Sequence, residues 1–358
     1  MWNNTTVSEA LRIKYPIIQG AFGGRFSSVE LVAAVSNAGG MGSFGLNARS
    51  PQEILEINAA IRKCTVATYA LNLWVPLADD PVKEFDELAF EAWKHRFEPY
   101  FAKLGLPLPE KPDLPRRSFE AQLEAVLQAK PPVVSFIFGI PSDEIFRELK
   151  HRGIVTIASA TTADEARLLE DSPIDLIIAT GQNAGGHRPS FLKSPEDSLT
   201  DTKSLVKQVL EVVKKPVIAA GGISNGIKAA EYLQLGASGV QVGTAFLATD
   251  ESGASDLHKT NLRSEHSYQT DLTRVFTGRL ARSITSEFIQ DFNESSEPIY
   301  APYPLQSKLM NGLWNVPDKE QATSYMPLWA GVPSAILKHT HAEDLFVSLV
   351  NEINAEMG

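Results

Sequence analysis

The chain has 358 residues, 43% of them hydrophobic and 21% charged, an ordinary globular composition with apolar material for one large core and an appendage. A formal charge of −10 and a pI near 5.3 exclude nucleic acid as the expected partner, because phosphate backbones call for a basic face and no long Lys/Arg cluster occurs. The single cysteine, Cys64, excludes an intrachain disulfide, a cysteine zinc site and a cysteine-bound iron–sulfur cluster, and fits a reducing cytosol.

The first residues, Met1-Trp2-Asn3-Asn4-Thr5-Thr6, lack a basic segment followed by an apolar run, and no stretch of about 18 apolar residues occurs. Neither export nor membrane insertion is expected. A small anionic ligand stays compatible with the acidic chain, since the field inside a pocket can oppose the net charge.

From residue 12 onward, short apolar runs alternate with amphipathic stretches, which is the pattern of βα units around a parallel sheet. Strands are predicted over 16–19, 41–44, 68–73, 133–136, 155–158, 176–179, 217–220 and 239–242. The intervening helices are predicted over 29–38, 51–61, 119–128, 143–151, 163–170, 201–213 and 227–235. Ser50-Pro51 and Ser142 supply helix starts, through an N-cap hydroxyl and a proline in the first turn. Eight such units predict a (β/α)8 TIM barrel, whose usual length is about 250 residues; a doubly wound sheet is the second choice.

Two segments break the rhythm. Residues 74–117 are rich in proline, aromatic and charged residues and read as an insertion after strand three that could roof a pocket. From 255 to 358 the alternation gives way to helical patterning with Pro-rich turns. The organisation expected is therefore a barrel over 1–254, interrupted by the insertion, and a mostly helical C-terminal subdomain over 255–358 that covers the active site.

The stretch richest in chemistry is Ala179-Thr180-Gly181-Gln182-Asn183-Ala184-Gly185-Gly186-His187-Arg188-Pro189. Paired glycines let backbone approach a ligand, and an imidazole exchanges or donates a proton near neutral pH. Two further strand ends stop at glycine, Ala219-Ala220-Gly221-Gly222 and Gln241-Val242-Gly243-Thr244. One glycine pair closes an ordinary turn, but three in order after barrel strands read as rims of one pocket, and the loops after strands seven and eight are where such barrels bind phosphate. Gly40-Met41-Gly42-Ser43-Phe44-Gly45 matches a dinucleotide fingerprint formally. It follows a helix instead of a strand, so these glycines read as a helix end and a tight turn into strand two.

His187 alone among seven histidines sits in a glycine-rich loop after a barrel strand, and it is the candidate catalytic group against the plainer reading of a loop histidine bonded to backbone. No metal-ligand spacing surrounds it. Asn72 and Gln241 are polar side chains at strand ends that could meet a ligand or satisfy barrel backbone. Tyr300 and Tyr303 lie in a Pro-rich loop, as substrate contacts or as packing, and Lys308 reads as a solvated charge.

These residues carry a resemblance. Pro16-Ile17-Ile18-Gln19-Gly20-Ala21, Ala38-Gly39-Gly40-Met41-Gly42, Asn183 to Arg188, Pro216 to Gly222, Val240 to Phe246, Tyr303-Pro304-Leu305-Gln306 and Leu328-Trp329-Ala330-Gly331 resemble the FMN-dependent nitronate monooxygenases, formerly 2-nitropropane dioxygenases. The resemblance implies a TIM barrel holding FMN non-covalently, a nitronate oxidised by the flavin, oxygen as the acceptor, and a carbonyl compound with nitrogen oxyanions as products. It implies FMN contacts at Gly20, Ala21, Asn72, Thr180, Gly185, Gly222, Gln241, Val242, Gly243 and Thr244. It makes His187 the base, or the group that orients a preformed nitronate, with Tyr300 and Tyr303 toward the substrate. The partners implied are small molecules, with neither nucleic acid nor membrane and with a homo-oligomer left open.

The chain departs from the family pattern at four positions. Thr180 stands where a flavin-contacting glutamine is expected, Ile137 where a histidine is common, Phe22 where the first loop usually has methionine, and Pro189 where glycine follows the His-Arg pair. The nearest rival is an NAD(P)H-dependent flavin reductase acting on quinones or enoyl thioesters. An IMP dehydrogenase type of barrel would need a cysteine in the loop after strand six, which has none. A non-catalytic flavin-binding protein would have no use for His187.

Overall fold

Strands buried on both faces show no alternation, and the run Leu176-Ile177-Ile178-Ala179 is of that kind, all four side chains lying in the core. The structure, a computed structural model, describes residues 1–77, 85–112, 118–296, 298–314, 316 and 323–358. Its main sheet comprises β1 (Ile17–Gln19), β2 (Gly42–Gly45), β3 (Tyr69–Trp74), β4 (Val133–Ile137), β5 (Val155–Ala160), β6 (Leu176–Thr180), β8 (Val217–Ala220) and β9 (Gly239–Val242), while β7 (Gly186–His187) stands outside it. The hydrogen-bonded order is β1-β9-β8-β6-β5-β4-β3-β2, parallel at every step. A parallel bridge between Ile18 and Met41 joins the two ends of that order, with Gln19 N donating to Met41 O (2.9 Å) and Met41 N to Ile17 O (3.0 Å). The sheet is thus the barrel the alternation predicted.

The outer helices begin where the capping residues stand. Ser50 accepts from Glu53 N, Glu53 returns a bond to Ser50 N, and Pro51 takes the first turn of Pro51–Cys64, a capping box. Ser28 caps Val29–Asn37 through its hydroxyl alone, accepting from Leu31 N, whereas Ser142 holds the N-cap position of Asp143–His151 without a side-chain bond. The N-terminal helix Thr6–Leu11 places Val7 and Leu11 in a cluster with Ile18, Met41, Ala70, Val133, Ile157 and Ile218 from the strands. Thr5 Oγ1 donates to Ser238 O (2.6 Å) just ahead of β9, so this helix plugs the end of the barrel where strands begin. That leaves the opposite, C-terminal mouth as the candidate place for a ligand.

The insertion is anchored by the helix Glu87–Lys103, whose Phe90, Trp93, Phe97 and Phe101 recur every three or four residues and are buried. Residues 78–84 and 113–117 of the expected 74–117 excursion lie outside the described residues. The helix packs on Phe276, Phe288, Phe292, Leu305, Leu309 and Leu313 in a second core, where each large side chain contributes about 1.5–3 kcal/mol by leaving water. Trp93 Nε1 donates to Gln306 Oε1 (2.8 Å), which also accepts from Ala301 N (2.8 Å). The insertion and the C-terminal region thus form one layer.

That region is mostly helical but holds a hairpin the helical pattern did not predict, β10 (Thr270–Thr273) and β11 (Ala281–Ile284), with β7 added on the far edge of β11. Both faces of β11 are covered, its four residues being buried, so it lacks the two-residue alternation that marks a strand in sequence. The last helix, Ala342–Met357, packs Phe346, Leu349 and Ile353 into the main core, and Glu352 accepts from Gly226 N (2.6 Å) at the start of Gly226–Gln234. It takes the eighth place in the outer ring, although it lies well beyond residue 254.

Candidate active site

Each barrel strand that bears a candidate residue runs toward the C-terminal mouth. His187 sits in β7, held by pairing with Ala281 of β11. Its loop is fixed from beneath by two arginines. Arg188 donates to Thr180 O (2.8 Å) and Ser198 O (2.7 Å), and Arg282 Nε donates to Gln182 O (2.9 Å). Both cations are spent on backbone carbonyls, which is how a loop with three glycines, Gly181, Gly185 and Gly186, keeps one conformation.

The imidazole Nε2 of His187 lies 2.9 Å from Thr277 Oγ1. Rings surround it: Trp74 at 5.3 Å, Trp329 at 5.5 Å and Tyr303 at 6.0 Å between centroids. Trp74 comes from the end of β3 and packs on Phe138 at 4.8 Å, while the Tyr303 hydroxyl accepts from Asn47 Nδ2 (2.9 Å) after β2. The Arg279 guanidinium carbon sits 4.3 Å from the Tyr303 ring centre and 4.5 Å from that of Phe138. Loss of hydration, and secondarily the charge of Arg279, push the His187 pKa down to about 3. The imidazole is therefore neutral at physiological pH.

The glycine rims meet through the tail. Gly331 N donates to Thr244 Oγ1 (2.9 Å), Val332 N to Asn183 O (2.9 Å), and the backbone of Ser334 and Ala335 to Ser224 Oγ (2.8 and 3.0 Å). One extended segment therefore staples the loops after β6, β8 and β9. A Cβ on Gly185 would stand 2.5 Å from Gly331 N, and one on Gly222, whose φ is +73°, would stand 3.2 Å from Val332 O. Gly243 is different: a Cβ there would find only a ring carbon of Phe22, at 3.9 Å. So Gly185 and Gly222 admit the tail, while Gly243 faces open space.

The other residues singled out from sequence are placed as follows. Gly20 N donates to Val242 O (2.9 Å), which brings the Gly20-Ala21 turn beside Gly243. Gln241 is half-buried on β9 and Val242 is buried in the main core. Asn72 is buried on β3 and donates to Ser135 Oγ (3.0 Å). Thr180 ends β6 with its Oγ1 buried and without a hydrogen-bond partner, an unsatisfied hydroxyl at the mouth. Tyr303 joins the His187 group, but Tyr300 does not: its ring packs 6.3 Å from Phe292, under the Arg274 guanidinium at 5.5 Å. Lys308 is exposed. His258 is structural, its Nε2 donating to Trp329 O (3.0 Å).

Thr277, Arg279, Phe138 and Asn47 escaped the sequence reading, as did the placement of Trp74 and Trp329. A tryptophan closing a strand could have flagged Trp74, but the loop that carries Thr277 and Arg279 has no signal of its own. A cavity of about 170 Å3 bounded by Ser224, Leu337, His339 and Glu352 shares no residue with the His187 group. Among the described residues no helix is long and apolar enough to cross a membrane, and no three His, Cys, Asp or Glu side chains come together as a metal-ligand set.

A closed parallel barrel with one end plugged and a histidine, an arginine and ordered glycine loops at its C-terminal mouth defines a TIM-barrel enzyme. The nitronate monooxygenase family model matches residues 4–352. The probable nitronate monooxygenase of Staphylococcus saprophyticus is 36% identical over 356 residues, 99% of either chain, and that of Staphylococcus aureus MSSA476 is 36% identical over 364 residues, 100% of this chain and 99% of the other. The structure of nitroalkane oxidase from Streptomyces ansochromogenes superposes with a TM-score of 0.86 at 33% identity, over 98% of both chains. FabK from Thermotoga maritima superposes with a TM-score of 0.75 at 25% identity, over 99% of this chain and 97% of that one. The chain belongs to the nitronate monooxygenase family, and it is an oxidoreductase.

Proposed function

We propose that this protein holds FMN at the C-terminal mouth of the barrel and oxidises alkyl nitronates, such as propionate 3-nitronate, with molecular oxygen. The products are a carbonyl compound and nitrite or nitrate. The observation that carries the reading is the His187 imidazole, enclosed by Trp74, Tyr303 and Trp329 at the mouth. The family supports it, as does the nitroalkane oxidase that the chain resembles over its whole length.

The residues present fit a flavin mononucleotide. The unpartnered Thr180 Oγ1 is a buried hydroxyl available to a ring edge, in place of the family's glutamine. The open space at Gly243, with the backbone N–H groups of Gly243 and Thr244 at the start of the short helix Thr244–Leu247, suits a phosphate without requiring lysine. Asn72 on β3 and Gln241 on β9 would be available to the ring, and the Gly20-Ala21 turn would offer it backbone. Gly185 and Gly222 keep the phosphate rim in place through the tail. When bound, the flavin supplies the two-electron acceptor that the side chains lack.

His187 orients the substrate. An imidazole whose conjugate acid lies near 3 is a poor base for a carbon acid at neutral pH, so the site suits a nitronate that is already an anion better than a neutral nitroalkane awaiting deprotonation. Thr277 fixes the ring's position through Nε2, and the three aromatic rings exclude water from the reacting carbon. The proposed compartment is the reducing cytosol, where the exposed thiol of Cys64 would persist.

The test is to mix the purified, flavin-loaded protein anaerobically with propionate 3-nitronate and follow the flavin absorbance. Bleaching that reverses on admitting air is the expected result. A flavin that stays oxidised would remove the nitronate reading and put an NAD(P)H-dependent reductase in its place.

A further inference from the structure

A substrate that meets His187 must share its surroundings with Trp74. The indole closes β3, and its ring centroid lies 5.3 Å from that of the imidazole at an interplanar angle of 75°. Its far edge reaches the loop after β1, since a Cβ on Gly23 would stand 3.6 Å from Trp74 Cζ2. The ring therefore spans the interval between the histidine and the loop that carries Gly20 and Ala21. Register pairs Trp74 with Ile137 of β4. Neighbours in register on parallel strands share a face of the sheet, so a second apolar side chain stands beside the indole.

We infer that Trp74 is a specificity-determining residue of this site: its indole is a fixed apolar wall that limits the length of alkyl chain accepted beside His187, so that short-chain substrates are favoured. That these substrates are nitronates rests on the function proposed above.

The wall is held because other groups pack against it. Phe138 lies 4.8 Å from the indole between ring centroids and Tyr303 lies 5.7 Å away. The Arg279 guanidinium carbon stands 5.6 Å from the indole centre, 4.5 Å from that of Phe138 and 4.3 Å from that of Tyr303, so it wedges the three rings together. Each backing ring is itself fixed. The Tyr303 hydroxyl accepts from Asn47 Nδ2 (2.9 Å). Phe138 follows β4 directly with a φ of +68°, in the left-handed region that a bulky residue keeps only where its surroundings enforce it. A ring packed at interior density cannot move without overlapping its neighbours. A longer chain must then displace this packed group or withdraw from His187, and either one costs binding.

The experiment compares chain lengths within each protein, so that a general loss of activity cancels. Flavin-loaded parent, Trp74→Ala and Trp74→Leu are assayed for kcat/KM with the nitronates of nitroethane, 1-nitrobutane and 1-nitrohexane. The three neutral nitroalkanes are also titrated as ligands while flavin absorbance is followed. In the parent, kcat/KM should fall about 10-fold or more from the ethyl to the hexyl nitronate, the scale on which a fitted apolar pocket rejects added methylenes. Trp74→Ala should move that ratio about 10-fold or more toward the longer chain, with Trp74→Leu between, and the dissociation constants of the nitroalkanes should follow the same order. The leucine variant carries the test should the alanine protein not accumulate. The inference is overturned if the parent shows no such decline with length, or if the variants lower all three substrates in equal proportion, as a purely structural role would. A parent whose flavin none of the nitronates bleaches would remove the nitronate reading, while a chain-length dependence of nitroalkane binding that Trp74→Ala relaxes would leave the wall standing.

Discussion

His187 and Thr277 are 90 positions apart in the chain, and their side chains meet at 2.9 Å between Nε2 and Oγ1. The contact exists because β7 pairs with β11, and the turn preceding β11 carries Thr277 and Arg279 back over the barrel mouth. A region with no part in the eight βα units thereby completes the site.

That hydroxyl sets the direction of the imidazole. Thr277→Val keeps the volume and removes the bond, so kcat/KM for a nitronate should fall about 10-fold, the scale of a lost neutral hydrogen bond, with flavin content unchanged. Thr277→Ser should restore most of the rate. Steady-state kinetics on protein of equal flavin content makes the comparison, and a valine variant as active as the parent would leave Thr277 without this role.

Removing the imidazole should cost more. His187→Asn should lower turnover about 10²-fold, the lower end for a lost acid/base or orienting group, again without loss of flavin. The pH profile separates the two roles of His187. With its pKa held near 3 by burial first and by Arg279 second, His187 stays neutral over the ordinary range, so kcat/KM for a preformed nitronate should show no limb between about pH 5 and 9 that disappears in His187→Asn. A limb near pH 6 to 7 that vanishes in the variant would identify His187 as a titrating base instead.

Two glycines of the proposed phosphate rim should respond oppositely to a side chain. Gly185→Ala places a methyl group against Gly331 N, so the fold should lose about 1–3 kcal/mol through overpacking, visible as a lowered Tm even without flavin. Gly243→Val fills open space; the flavin-free protein should melt within a few degrees of the parent, yet purify with less FMN. Equal flavin occupancy in Gly243→Val and parent would refute the assignment of that space to the phosphate.

Acid should weaken the fold through His258. Burial, opposed by its bond to the Trp329 carbonyl, lowers this histidine to about 4, below the value of about 6.5 in an unfolded chain. Because the folded value is depressed, the stabilisation is fully present above about pH 6.5 and is lost as the pH falls toward about 4, amounting to roughly 3 kcal/mol. Thermal melts across that window should show a decline that is shallower in His258→Asn. An unchanged slope would transfer the effect to other groups.

The barrel was legible because its determinants are local. Strand runs at 217–220 and 239–242 and the helix start at 51 coincide with the elements observed, since a buried strand needs only apolar neighbours and a helix start needs only its cap. The same locality misled at β11, where a strand covered on both faces carries no alternation. Gly185 and Gly222 were legible as special but not in their use, which depends on a tail about 110 to 150 residues further on.

The sequence by itself determined the (β/α)8 plan and singled out the C-terminal mouth as the expected place of the site, with His187 and the glycine rims as its candidate contents. Only the tertiary structure decided that Tyr303 joins the site and Tyr300 does not, that the helix Ala342–Met357 completes the outer ring, and that Thr277, Arg279, Trp74 and Trp329 enclose the histidine. The reason is physical: periodicity and capping are written within a few residues, whereas an enclosure built from a strand end, a hairpin turn and a tail exists only once long loops have closed and the rings have packed.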